Sequence, residues 1–227
     1  MLPTIIYLLI KKYRRTHPES AKKIQEIMLK AGKIIIILVL FLAVAHIAIS
    51  QEKKLEYVIK RKGSEVGAIS ITQQTLGNKM FIKLESEVRT RMIFLFTAKG
   101  KEESIYENGI LTWSSIYRKM NGTEKANKKT RLSGKNYIVS KGDDSETLNS
   151  YPIRYNMLCL YILEPVNIQK VYSDNFQQFL DIQTLGPHHY KIRFPDGNSS
   201  EYFFSNGICS TIKVHHSLYS ATIELKP

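Results

Sequence analysis

From Leu55 to Leu225 the chain alternates apolar and polar residues with a period of two, interrupted at short intervals by tight-turn pairs. No other feature constrains the fold as much. Successive side chains of a strand point to opposite faces, so an alternating run must bury one of them. In KMFIKLESEV (79–88), Met80, Ile82, Leu84 and Val88 share one face, and Lys83, Glu85 and Glu87 share the other. LEYVIKR (55–61) places Leu55, Tyr57 and Ile59 together. EVGAISITQQ (65–74) lies between these two segments, bounded by Lys62-Gly63-Ser64 and Leu76-Gly77-Asn78. RMIFLFTA (91–98) is apolar on both faces and predicts one strand, central or covered on both sides. SIYENG (104–109) leads through Asn108-Gly109 into ILTWSSIYRK (110–119), and Asn-Gly between apolar runs is the pattern of a two-residue hairpin turn. Asn121-Gly122 and Ser133-Gly134 set off more polar strands at 125–132 and 136–140, and 142–150 reads as a polar loop.

The texture then changes. NMLCLYILEP (156–165) has no alternation and no turn residue before Pro165, which predicts a short helix over 155–163 ended by the residue before proline. Such a helix would plug one mouth of a curved sheet. Alternation resumes at 168–173, 176–185, 189–194, 201–205, 208–216 and 220–225, with turns at Gly186-Pro187, Asp196-Gly197 and Asn206-Gly207. About a dozen antiparallel strands with one inserted helix predict a mainly β fold. The expected form is a large antiparallel curved sheet or partly closed β-barrel, which buries a face and limits exposed edges.

The first 50 residues follow another logic. Residues 1–27 form a basic leader, or precede the true start if translation begins at Met28. Residues 28–50 read as a signal peptide or signal anchor helix, and 51–227 as the exported β domain. Ile34–Ala45 is an unbroken run of twelve apolar residues, and apolar character continues to Ile49 with His46 as the one interruption. That is shorter than the ~20 residues a spanning helix needs. Lys30 and Lys33 precede the run, and Ala48 and Ser50 stand at the −3 and −1 places for cleavage between Ser50 and Gln51. The short run and small exit favour cleavage. The competing single-pass anchor would keep its N-terminus in the cytoplasm, because eight Lys/Arg stand in residues 1–50. Both readings predict export across the inner membrane to the periplasm or cell envelope, with membrane attachment through the N-terminal segment if it stays uncleaved. Of the net charge of +13, residues 1–50 hold +6 (eight basic against two acidic), leaving +7 for 51–227. Much of the basicity therefore belongs to the leader and gives no case for a nucleic-acid partner.

The candidate chemistry is sparse. A G-x-S-x-G nucleophile motif is missing, as is a Gly-rich phosphate loop. No catalytic residue, metal or cofactor is assigned. His188-His189 and His215-His216 are adjacent pairs, so each pair offers one side chain to a shared site. One from each strand with Asp181 or Asp196 would begin a zinc set, and Asp143-Asp144 with Glu146 would offer further carboxylates. This is the basis of an alternative reading as an envelope hydrolase or metal-dependent enzyme, against the simpler reading of solvated strand ends. Cys159 and Cys209 would form a disulfide in an oxidising compartment or remain two buried thiols. Ile82, Leu84, Phe94, Phe96 and Trp113 are core positions. If the sheet closes incompletely, the same side chains would line an apolar cavity. The resulting expectation is an exported, non-enzymatic binding or scaffold domain for an apolar or lipidic ligand. A structural or assembly partner in the envelope is the third reading.

YVIKRKGSEVGAI (57–69), ENGILTW (107–113), CLYILEP (159–165), VYSDNFQQF (171–179) and YFFSNGIC (202–209) resemble a family of unknown function in exported proteins of Gram-negative bacteria. The resemblance extends over nearly all of 55–227, and its motifs mark turns and packing. It implies an exported β-rich domain with no assigned activity and brings no catalytic residues. The chain is also distantly similar to curved-sheet periplasmic proteins that carry or sense lipidic ligands.

Overall fold

The structure, a computed structural model, describes residues 16, 19, 29–33, 51–91, 95–149 and 152–227. The chain divides into two units, Met1–Ile49 and Ser50–Pro227. In the first, residues 29–33 are helical. The apolar run 34–49 and Ser50 lie outside the described residues, as does the side chain of Gln51, and with them the expected cleavage point. No helix among the described residues is long and apolar enough to cross a membrane.

Among the described residues the second unit is one antiparallel sheet of fourteen strands. In chain order these are β1 (Gln51–Arg61), β2 (Ser64–Leu76), β3 (Lys79–Arg91), β4 (Leu95–Glu107), β5 (Ile110–Met120), β6 (Thr123–Ser133), β7 (Asn136–Lys141) and β8 (Asp144–Leu148), then β9 (Lys170–Ser173), β10 (Gln178–Gly186), β11 (His189–Arg193), β12 (Ser199–Ser205), β13 (Ile208–His216) and β14 (Tyr219–Leu225). Among the described residues the only helix between strands, α1 (Cys159–Ile162), follows β8. Neighbouring strands in the sheet are neighbours in sequence, with one exception: β1 pairs with β14, aligning Tyr57 with Leu225 and Ile59 with Ile223. The free edges are β8 and β9, so the ladder does not close on itself.

Local chemistry explains the turns. Asn108 and Gly109 both have positive φ, 53° and 72°, as a two-residue hairpin turn requires. Gly67 answers a different need: a Cβ there would lie 2.2 Å from the backbone oxygen of Glu87, so only glycine lets β2 and β3 approach at this point. It follows a register shift at Ile59/Lys60 in the β1–β2 ladder, a bulge that bends the sheet.

Three sequence expectations are corrected. The apolar run 91–98 is not one strand: Arg91 ends β3, Leu95 begins β4, and the two are cross-strand partners. A reversal concealed in apolar residues leaves no polar mark in the sequence. The expected loop at 142–150 contains β8, an edge strand exposed on both faces from Asp144 to Thr147 and therefore polar throughout. The expected helix 155–163 shrinks to α1, because Asn156 forms a parallel bridge to Tyr172 and Met157 N–H donates to Tyr172 O at 3.0 Å.

The core lies on the concave side, where residues 152–169 fold inward. Ile153, Leu158, Leu160 and Ile162 join Tyr57, Ile71, Ile82, Leu111, Ile192 and Ile212 in a single apolar cluster. Full burial of each such aliphatic chain contributes about 1.5–3 kcal/mol. Tyrosines hold this segment in place through their hydroxyls. Tyr137 OH donates to Leu111 O (3.0 Å) and accepts from Ile153 N–H (3.0 Å). Tyr57 OH lies 2.8 Å from Cys209 O and 3.1 Å from Tyr161 O. Tyr155 OH donates to Leu163 O.

Candidate ligand-binding cavity

One end of the rolled sheet is filled and the other is hollow. The filled end holds the turns at 77–78, 108–109, 134–135 and 206–207 and the inward-folded 152–169 segment. At the opposite end, reached by the hairpins β1–β2, β3–β4, β5–β6, β11–β12 and β13–β14, lies a cavity of about 550 Å³. Its wall is mostly aliphatic and aromatic, with Ile69, Leu84, Val88, Phe96, Ile116 and Ile223 among the contributors. Its floor is made by Met157 just before α1, Tyr161 within it, and Ser173–Phe176 at the end of β9 and in the turn that follows.

Strand geometry assigns the inward set. On β4 the residues Phe96, Ala98, Gly100 and Glu102 line the cavity, and the next two inward positions, Ser104 and Tyr106, are buried below it. On β5 the inward residues are Ser114, Ile116 and Arg118, in register with Ser104, Glu102 and Gly100. A Cβ at Gly100 would meet Ser86 Oγ at 2.6 Å and Arg118 Cγ at 3.8 Å. Its hydrogen leaves space for Arg118 to cross the wall and reach Glu102, Nη2 to Oε1, at 2.5 Å. The apolar surroundings work against charge on Arg118, but the Glu102 carboxylate more than offsets them, and the pKa lies above the usual value.

Below the apolar wall sits a polar layer. Asp174 is 4% exposed. Its carboxylate accepts from Ser114 Oγ through Oδ1 and from Asn156 Nδ2 (2.9 Å) through Oδ2. Asn156 Nδ2 also lies 2.7 Å from Ser104 Oγ, and Asn156 Oδ1 accepts from Cys159 Sγ at 3.4 Å. Cys159 Sγ lies 3.3 Å from Tyr106 OH, and Tyr172 OH lies 3.0 Å from Thr130 Oγ1. Among the described residues no buried side-chain nitrogen or oxygen lacks a partner. Burial pushes the Asp174 carboxyl up to about 7, the Glu102 carboxylate adds to the rise, and the Ser114 and Asn156 donors only partly counter it.

This layer also fastens the open seam. Gln177 Nε2 donates to Ser140 O (3.1 Å) and Lys129 O (3.3 Å), and Lys128 Nζ donates to Asn175 O. The β9–β10 turn is thereby tied to β6 and β7 by side chains where no backbone ladder runs.

The expected lining residues separate. Phe96 and Leu84 line the cavity. Ile82 does not: it is buried in the cluster with Leu158 and Leu160. Trp113 does not either, because a register shift at Ile105/Tyr106 puts an extra residue into β5 and Trp113 opposite Ile105, while its neighbour Ser114 points inward. Phe94 lies outside the described residues. Cys159 and Cys209 are both free and buried, not bridged. Burial pushes their thiols up to about 11 and about 12.

The histidines gather differently from the zinc expectation. His189 Nε2, Lys191 Nζ and His215 Nε2 stand 3.2, 3.2 and 3.6 Å from the Glu201 carboxylate, across β11, β12 and β13. Asp181 pairs with Lys170 at 3.6 Å instead. His188 lies at the filled end, its Nδ1 3.0 Å from Glu164 Oε1, to which Tyr190 OH donates at 2.8 Å. Among the described residues no group of three or more His, Cys, Asp or Glu is placed to hold a metal ion. Sequence reasoning missed Asp174, Ser114, Asn156 and the Glu102–Arg118 pair. Asp174 stands in VYSDNFQQF, which reads as an ordinary polar turn.

No curated protein matches the chain. Among solved structures it is similar to the crystal structure of a β-barrel-like protein of a domain of unknown function, DUF1849, from Brucella abortus. The TM-score is 0.53 at 9% identity, covering 78% of this chain and 95% of that one, so the likeness is one of fold. Residues 57–226 match the family described as Domain of unknown function (DUF6134). That match takes in all but the first strand's opening residues and the last residue of the fourteen-stranded unit, and the chain belongs to the DUF6134 family.

Proposed function

We propose that the 51–227 unit is a non-enzymatic binding domain that holds an apolar or amphiphilic ligand, lipidic in class, in the open end of the rolled sheet. The cavity carries this reading. Its volume, about 550 Å³, falls within the range of small-molecule sites, which are concave and mostly apolar with a few placed polar groups. Here those groups are the Glu102–Arg118 pair in the wall and Asp174 in the floor. An acyl chain or ring system would lie against Leu84, Val88, Phe96 and Ile223, and a polar end would find Arg118. The work of such a domain belongs in the cell envelope, after export directed by residues 28–50. That placement agrees with the leader pattern of the sequence.

The test uses the whole chain purified from envelope fractions, with native mass spectrometry and lipid extraction. Ala98→Phe combined with Ala221→Phe places two rings in the cavity. A lipid-sized adduct on the wild-type chain that disappears from the double variant is the expected result. An adduct of equal occupancy on both, or none on either, would overturn the cavity as its site.

A further inference from the structure

The rim of the cavity has a composition that its interior does not need. Leu218 is 80% exposed on the β13–β14 turn, and Leu95 is 52% exposed at the start of β4. Met120 and Tyr219 add two more exposed apolar side chains on the same rim. Basic residues surround them. In the described parts of the hairpins β1–β2 (60–65), β3–β4 (87–91 and 95–99) and β5–β6 (119–125), eight Lys/Arg face three Glu. Asp143 in the β7–β8 turn and Asp144 at the start of β8 lie at the edge of the sheet, so the basic sector is one-sided.

Backbone pairing adds a second observation. The β2–β3 ladder ends at Gly67–Val88 and the β4–β5 ladder at Ala98–Met120. β3 and β4 continue past both with Arg89–Thr97, Thr90–Phe96 and Arg91–Leu95. Asn121 supports this ribbon only as far as Thr97, through its amide nitrogen to Thr97 O and its Oδ1 to Thr97 N–H, both 2.8 Å. Among the described residues no third strand pairs with the two strands beyond it. Arg89, Arg91 and Leu95 lie on the exposed face of this projection, while Phe96 turns toward the cavity. An unsupported two-stranded ribbon is marginal in water, and apolar side chains among cations on its outer face invite a surface that is apolar inside and anionic outside.

We infer that the open end docks on an anionic lipid bilayer, with Leu95, Met120, Leu218 and Tyr219 entering the interface while Arg61, Lys62, Arg89 and Arg91 meet lipid phosphates. Interfacial binding of this kind combines buried apolar area with attraction to anionic headgroups. The cavity mouth would then face the membrane, and a lipidic ligand would pass between bilayer and cavity without crossing water. The docking inference rests on the proposed ligand class for its purpose, though not for its geometry.

The test keeps the whole chain. An environment-sensitive, quenchable probe is attached at Leu218→Cys on the rim or, as control, at Leu163→Cys at the filled end, in a background where Cys159 and Cys209 stay buried. Vesicles of phosphatidylglycerol and phosphatidylcholine, or phosphatidylcholine alone, carry spin-labelled lipid. The rim probe should be quenched on anionic vesicles and the control probe should not. The double variant Arg89→Glu with Arg91→Glu should lower that quenching on the order of tenfold, and added salt should lower it further. Equal quenching at both positions, or none at Leu218, would overturn docking. So would rim-probe protection by an envelope protein and not by lipid. Quenching that persists in the Ala98→Phe, Ala221→Phe variant supports docking even if no ligand is found. A cavity adduct with an unquenched rim probe leaves the ligand reading standing and removes this one.

Discussion

The two ends of the sheet are built from the same hairpins and differ in what enters them. At the filled end, residues 152–169 turn inward and bury Ile153, Leu158, Leu160 and Ile162, with Tyr57, Tyr137 and Tyr155 hydrogen-bonded to backbone groups. At the open end the equivalent inward positions, Val88, Phe96, Ala98 and Ala221, face a void. A polar layer centred on Asp174 separates the two. Stability is concentrated where the chain supplies its own filling, and binding capacity lies where it does not.

The largest effect is expected from Leu160→Ala. Leu160 is fully buried at the filled end, and truncation should cost about 2–5 kcal/mol in denaturant unfolding. A cost below 1 kcal/mol would mean that the plug is not the stabilising core. Tyr137→Phe is expected next, at about 1–3 kcal/mol, because it leaves Leu111 O and Ile153 N–H without the shared hydroxyl. Unchanged stability would show that water or relaxation restores both bonds.

Asp174 sharpens the boundary through pH. Its folded pKa is raised from an ordinary 3.8 to about 7. The folded state therefore favours the protonated carboxyl. Its stabilising contribution is fully present below the unfolded value and is lost as pH rises through about 7. Asp174→Asn should remove that loss, so the variant gains on the wild type as pH rises from about 4 to about 7. Parallel Tm profiles across that interval would contradict a buried, uncompensated carboxyl. The smallest expected effect is at the open end. Val88→Ala should cost under about 1 kcal/mol, since the side chain is only half-buried against the cavity. A cost matching that of Leu160→Ala would erase the distinction between the two ends.

The sequence made the strands legible because alternation and Asn-Gly turns are local properties. It made the inserted segment legible because CLYILEP lacks both. It did not show β8, where a wet edge strand needs no apolar face, or the β3–β4 reversal, where Arg91 and Leu95 flank apolar residues. The cavity was half legible. Leu84 and Phe96 follow from inward alternation, but one extra residue in the β4–β5 ladder turns Trp113 outward, and such register shifts leave no mark in composition. Asp174 was invisible for a further reason. A turn residue becomes interior only when the sheet rolls far enough to enclose it, and that depends on pairings distant in sequence.

The single nonconsecutive pairing has a kinetic consequence. Twelve of the thirteen ladders zip between adjacent strands, while β1 and β14 must find each other across more than 150 residues. Loop closure over that separation is slow in comparison with hairpin formation. Two meanders, β1–β8 and β9–β14, should thus form early and wait for their union. During that wait β1 and β14 each present an unpaired edge, and the newly made chain is then most open to pairing with the wrong partner.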